Sequence, residues 1–167
     1  VANFGLNQVS LGTISGVVSD DSHPAQPINQ ATVRVHRGSF ERSTNTNQNG
    51  QYTIANVPAW PYWTVDAYKV GYVAQSTTIG VQPGATTTLN FALTAFGIIS
   101  GTVKDQVTNQ PIAGALVRAD SVFFNTTDSN GYYTMFVLDG TYTVVASASG
   151  YASRPRSNVR VTKGETT

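Results

Sequence analysis

Ile14-Ser15-Gly16-Val17-Val18 opens a pattern that starts again as Ile99-Ser100-Gly101-Thr102-Val103. The landmarks that follow keep their order in both copies. Pro27-Ile28 is matched by Pro111-Ile112, and Ala31-Thr32-Val33-Arg34 by Ala115-Leu116-Val117-Arg118. Asn49-Gly50-Gln51-Tyr52-Thr53 is matched by Asn130-Gly131-Tyr132-Tyr133-Thr134, and Gly71-Tyr72 by Gly150-Tyr151. A chain of 167 residues with this self-similarity reads as two small tandem domains rather than one.

Inside each copy the apolar residues alternate with polar ones. Val33 and Val35 are flanked by Thr32, Arg34 and His36, and Tyr142, Val144 and Ala146 alternate with Thr143, Val145 and Ser147. Period two is the mark of strands with one buried face. Asn49-Gly50 and Asn130-Gly131 read as hairpin turns, and Pro83-Gly84 as a further turn. No stretch carries a capped helical stripe, so the expectation is an all-β protein of many short strands, packed as β-sandwiches.

Composition narrows the function. The net charge is +1 and charged residues make up 11%, so no strong field exists to attract nucleic acid or an anionic membrane, and neither is expected as a partner. There is no cysteine, hence no disulfide or thiol chemistry. Abundant threonine (22 residues) with frequent Asn, Ser, Gly, Val and Tyr is the habit of extended extracellular or cell-surface β-proteins. No run of about 20 apolar residues is present to span a bilayer as a helix.

The landmarks resemble those of the carboxypeptidase regulatory-like family, a transthyretin-like (prealbumin-like) sandwich related to the B-type repeats of Gram-positive adhesins. The matching residues are the opening Ile-Ser-Gly-x-Val, the Pro-Ile-x-x-Ala-x-Val segment, the Thr-x-x-x-Gly-x-Tyr stretch (46–52 and 127–133), Gly-x-Tyr-x-Val at 140–144, and the Gly-Tyr pair. Copy one departs at the fourth element, where Pro61-Tyr62-Trp63-Thr64-Val65 stands in place of Gly140-Thr141-Tyr142-Thr143-Val144. The resemblance implies two tandem seven-stranded Greek-key sandwiches. It says little about activity, because the family hosts stalks, adhesins, glycan-binding modules and enzyme appendages.

The two ends of the chain hold halves of one motif. Gly164-Glu165-Thr166-Thr167 followed by Val1, Ala2, Asn3, Phe4, Gly5 and Leu6 gives GETTVANFGL, which aligns without a gap on GATTTLNFAL at 84–93. The second sandwich is therefore expected to lack its last strand within the chain and to receive it from residues 1–6 of another copy. A covalent tandem array would make the same contact. The expected division is 1–12 as a strand pairing with another copy, 13–95 as the first sandwich and 96–167 as the second, with a short connection near 94–97 that restricts bending. The expected acceptor edge is Val159, Val161, Thr166 and Thr167, with Ala2, Phe4 and Leu6 on one face of the donated strand.

Other residues carry weaker signals. Trp60 and Tyr62, beside Pro58 and Pro61, form a possible surface platform for a glycan, whereas Trp63 aligns with Tyr142 and is expected in the core. Asn125-Thr126-Thr127 is the only sequon, making Asn125 the one N-glycan acceptor. The oxygen-rich stretch 45–50 lacks the carboxylates that a hard cation needs and is better explained by a turn, as are Asp20-Asp21-Ser22-His23. Arg154-Pro155-Arg156 and Arg160 suit an edge strand guarded against uncontrolled pairing. With His23 and His36 the only histidines and no nucleophile-and-base spacing, no enzyme, metal or cofactor is expected. The reading is an extracellular structural protein that polymerises head to tail into a filament, pilus or surface stalk. Its rivals are a carbohydrate-binding module and an accessory domain of a secreted hydrolase.

Overall fold

The computed structural model describes residues 9–167, which form two compact units divided between Thr94 and Ala95. The expected donor residues Val1, Ala2, Asn3, Phe4, Gly5 and Leu6 lie outside the described residues. Both units are all-β sandwiches, and no helical segment occurs among the described residues.

The first unit contains β1 (Leu11–Asp20), β2 (Thr32–Arg37), β3 (Phe40–Asn45), β4 (Gln51–Pro58), β5 (Trp60–Tyr68), β6 (Gln75–Val81), β7 (Thr86–Thr88) and β8 (Phe91–Leu93). One sheet has the order β4-β1-β7, with β8 continuing along β1, and the facing sheet has the order β3-β2-β5-β6. Alternation places Ile14 and Val18 of β1, Ile54 of β4, Val33 and Val35 of β2, and Trp63, Val65 and Ala67 of β5 in one buried core. Eight strand segments replace the expected seven because β7 and β8 run along the same side of β1 with a break at Leu89 and Asn90.

The second unit contains β9 (Gly97–Thr102), β10 (Leu116–Arg118), β11 (Phe124–Thr126), β12 (Tyr132–Val137), β13 (Gly140–Ser147) and β14 (Arg154–Val161). The order β11-β10-β13-β14 repeats the four-stranded sheet of the first unit, while the facing sheet consists of β12 and β9. Ile99, Val117, Met135, Val137, Val144 and Val161 form its core.

The Asn-Gly turns do not close hairpins. β3 pairs with β2 whereas β4 pairs with β1, so Asn49-Gly50 carries the chain from one sheet to the other, and Asn130-Gly131 does the same between β11 and β12. The cause is a buried threonine at the start of each turn. Thr46 Oγ1 donates to the Ile28 carbonyl and accepts from Ala31 N–H, and Thr127 Oγ1 makes the same pair with Ile112 and Ala115. These bonds anchor the turn to a neighbouring loop rather than to a hairpin partner. Gly50 and Gly131 adopt φ of +70°, and a Cβ at Gly50 would lie 2.4 Å from the Val18 carbonyl. Replacing Thr46 or Thr127 by Val keeps the shape but strands two buried backbone groups. Each substitution is expected to destabilise its own sandwich by roughly 1–3 kcal/mol per unpaired group, read from urea unfolding midpoints.

Candidate functional site

The first sandwich shows how its final strand is held. β8 lies parallel to β1, with Phe91 opposite Val18, Ala92 opposite Ser19 and Leu93 opposite Asp20. Phe91 and Leu93 point inward and are 4% and 0% exposed. At the break before β8 the chain crosses directly over Gly16. Leu89 N–H donates to the Ser15 carbonyl at 2.8 Å, and Asn90 Oδ1 accepts from Val17 N–H at 2.9 Å in place of a backbone carbonyl. The buried Tyr52 hydroxyl, its pKa pushed up by desolvation, donates to the Leu89 carbonyl at 2.7 Å. A Cβ at Gly16 would stand 1.7 Å from that carbonyl oxygen, so no other residue fits there while the strand is seated.

The second sandwich repeats the first half of this arrangement. Ile98 N–H donates to the Glu165 carbonyl, Thr167 N–H to the Ile98 carbonyl and Ser100 N–H to the Thr167 carbonyl, so 165–167 run along β9 as β7 runs along β1. Beyond Ser100 no strand pairs with this edge of β9 among the described residues. A groove of about 750 Å³ opens there, lined by apolar residues such as Val103, Val117, Val144 and Val159 and, in similar measure, by polar and charged ones, among them Lys104, Arg156 and Arg160. Val103 is half-buried where Val18 is 0% exposed, and Tyr133 is half-buried where Tyr52 is buried.

The residues expected at the acceptor edge occupy different parts of this site. Val159 lines the groove from β14, where it pairs with Tyr142 of β13. Val161 is only 1% exposed and belongs to the core beneath. Thr166 bridges Ile98, and Thr167 closes the inner end of the groove. In the first sandwich the equivalent strand takes its ladder from β1 rather than from β6, the counterpart of β14. Sequence reading missed this backbone edge on β9, although the recurrence of Gly16 as Gly101 was a visible signal for it.

The remaining candidates separate clearly. Trp63 is buried and donates its indole N–H to the Pro58 carbonyl at 2.9 Å. Trp60 lies on β5 and not in a loop, because β2 pairs only with the later part of β5 and a register shift between Trp60 and Trp63 accommodates Pro61. Trp60 and Tyr62 are 44% and 68% exposed, and the Arg37 guanidinium covers the Trp60 ring at 4.3 Å. Asn125, on the exposed β11, donates its side-chain amide to the Thr134 carbonyl. The sequon's Thr127 is the structural threonine that recurs as Thr46.

Asn47 and Asp128 spend their side-chain oxygens on backbone N–H groups of their own turns, and Asp20 does so on Ser22 and Gln26. Arg34 and His36 of β2 meet Asp66 of β5 at 2.7 and 3.1 Å. Burial works against the Asp66 charge, but the bonds from Arg34 and Ser76 hold its pKa below the usual carboxylate value. Asp66 thus joins Arg34 and His36 of β2 to Ser76 of β6 across three neighbouring strands. β14 is a sheet edge, and its exposed Arg154, Pro155 and Arg156 make it a poor template for unprogrammed pairing.

Known proteins resemble this chain in sequence and in fold. The chain is 32% identical to bacillopeptidase F of Bacillus subtilis over 118 residues, which is 67% of this chain and 8% of that protein. It is 28% identical to halomucin of Haloquadratum walsbyi over 162 residues, or 93% of this chain and 2% of that protein. The chain thus spans under a tenth of the curated relatives it matches here. Among solved structures, a streptococcal ancillary pilin superposes with a TM-score of 0.50 at 13% identity, covering 94% of this chain and 63% of that one. That likeness concerns the fold. The carboxypeptidase regulatory-like domain profile matches residues 13–94 and again 98–167, one match for each sandwich, and the chain belongs to that family.

Proposed function

We propose that this protein is a non-enzymatic structural component of the cell exterior, which polymerises head to tail into a filament, pilus or stalk by passing its N-terminal strand to the second sandwich of the next copy. The observation that carries this reading is the groove along β9, which lies where the first sandwich seats β8. Apolar side chains exposed in a groove beside a strand edge left unpaired are a costly surface, and an added strand relieves both costs at once. Residues 1–6 carry the sequence that matches β8, including Phe4 for Phe91 and Leu6 for Leu93. The first sandwich already holds its own strand, so each copy has one donor and one acceptor. Such a heterologous contact does not close on itself and propagates as a fibre. The pilin likeness supports a sandwich of the kind used in surface assemblies and supports nothing finer.

Purified chain viewed by negative-stain electron microscopy, with the intact mass measured after full denaturation, tests the reading. Fibres that dissolve into single polypeptides on denaturation are expected. A protein that stays monomeric at high concentration, without affinity for residues 1–6, would overturn it. The second reading, a glycan-binding module, rests on the exposed Trp60 and Tyr62, and a monomer retained on a polysaccharide column would favour it.

A further inference from the structure

We infer that β9 is the acceptor strand, that residues 1–6 of a second copy lie parallel to it in a register set by the first sandwich, and that Gly101 is the position that admits them. This rests on the head-to-tail reading and adds the place and register of the contact.

The first sandwich serves as the template. Its β8 segment aligns residue for residue with 1–6, and β1 aligns with β9 through Ile14-Ser15-Gly16 and Ile99-Ser100-Gly101. Transferring the observed pairs puts Phe4 opposite Val103, Gly5 opposite Lys104 and Leu6 opposite Asp105. The Asn90 contact becomes Asn3 Oδ1 accepting from Thr102 N–H, and the Tyr52 contact becomes the Tyr133 hydroxyl donating to the Ala2 carbonyl.

Gly101 gives independent support. Its φ is not in the left-handed region, so its own backbone conformation does not call for glycine. Within the chain, a Cβ at 101 would meet only the Tyr133 side chain, directly opposite on β12, whose hydroxyl and outer ring atoms at 3.0–3.2 Å would have to give by a few tenths of an ångström. At Gly16 the corresponding Cβ would meet a backbone carbonyl of the crossing strand. The Tyr133 ring alone favours a small residue at 101, and a strand crossing there as at Gly16 would exclude every side chain. The side chains on the groove rim agree, since Lys104 and Thr102 are exposed where their counterparts Ser19 and Val17 are half-covered beside β8.

Two cysteine pairs read the register directly. Gly5→Cys with Lys104→Cys places the thiols at facing positions, Lys104 lying two residues beyond the end of β9, whereas Gly5→Cys with Arg160→Cys tests a strand lying along β14. Under mild oxidation the first pair is expected to give a covalent ladder of copies and the second only monomers. The reverse result would overturn the register while leaving head-to-tail assembly intact. Gly101→Ala supplies the second arm. With both stripped of residues 1–6, its second sandwich is expected to stay folded, with a urea midpoint changed only by the shift of the Tyr133 ring, and to bind a peptide of residues 1–6 at least a hundred-fold more weakly than wild type. Equal peptide affinity of Gly101→Ala and wild type would refute the role of Gly101. If wild type itself neither forms fibres nor binds the peptide, the functional reading fails rather than the register.

Discussion

Removal of residues 1–6 is expected to abolish fibres completely while leaving the first sandwich as stable as before. That sandwich carries its own β8, and its core residues from Ile14 to Leu93 are all supplied by the chain from β1 onward. The truncated second sandwich keeps its exposed groove. A synthetic peptide of residues 1–6 should stabilise it by linkage, by about 2.7 kcal/mol when the peptide is present at a hundred times its dissociation constant. It should not restore fibres, because a free peptide fills the acceptor without bringing the next copy. Thermal unfolding with and without peptide, beside electron microscopy, gives both readouts. Normal polymerisation by the truncated chain would end the head-to-tail account.

The second large effect concerns one phenylalanine in two settings. Phe91→Ala empties a site that is 4% exposed and opposite Val18, and is expected to cost the first sandwich about 3–5 kcal/mol. Phe4→Ala deletes the corresponding side chain from the donated strand. It should leave the unfolding midpoint of the first sandwich unchanged and appear instead as weaker assembly, by roughly a hundred- to a few-thousand-fold in dissociation constant if the groove packs as tightly. Urea unfolding and the critical concentration for fibre formation separate the two. A shift of the first sandwich's midpoint in Phe4→Ala, with assembly untouched, would mean that Phe4 packs within its own chain.

These two expectations give the family likeness a physical content that the family name lacks. Segments similar in sequence to this chain occur within the much longer bacillopeptidase F and halomucin, each of which this chain spans by under a tenth. Among the described residues the two sandwiches differ: β8 pairs with β1 in the first, whereas in the second no strand pairs with that edge of β9 beyond Ser100 and a groove of mixed lining opens there.

The all-β character, the two tandem domains and the inward placement of Val33, Val35, Val65 and Trp63 were legible in the amino-acid order, because they follow from period-two alternation and repeated local turn residues. The match of the two chain ends to 84–93 was legible too, since it is a comparison of strings. Three features were decided by tertiary structure. Asn49-Gly50 has the chemistry of a hairpin turn wherever it stands, and only the bonds from Thr46 to Ile28 and Ala31 send the chain to the opposite sheet. Trp60 and Pro61 look like a loop, but β5 carries them past the end of its pairing with β2. The side of the groove that offers a backbone ladder depends on β8 lying along β1, as shown by Asn90 bonding Val17 across 73 positions. Local sequence specifies which backbone conformations a segment can adopt. Which distant strand meets it is chosen by the packing of the whole sandwich, and at Gly16 the letter acquires its meaning only from the Leu89 carbonyl that crosses above it.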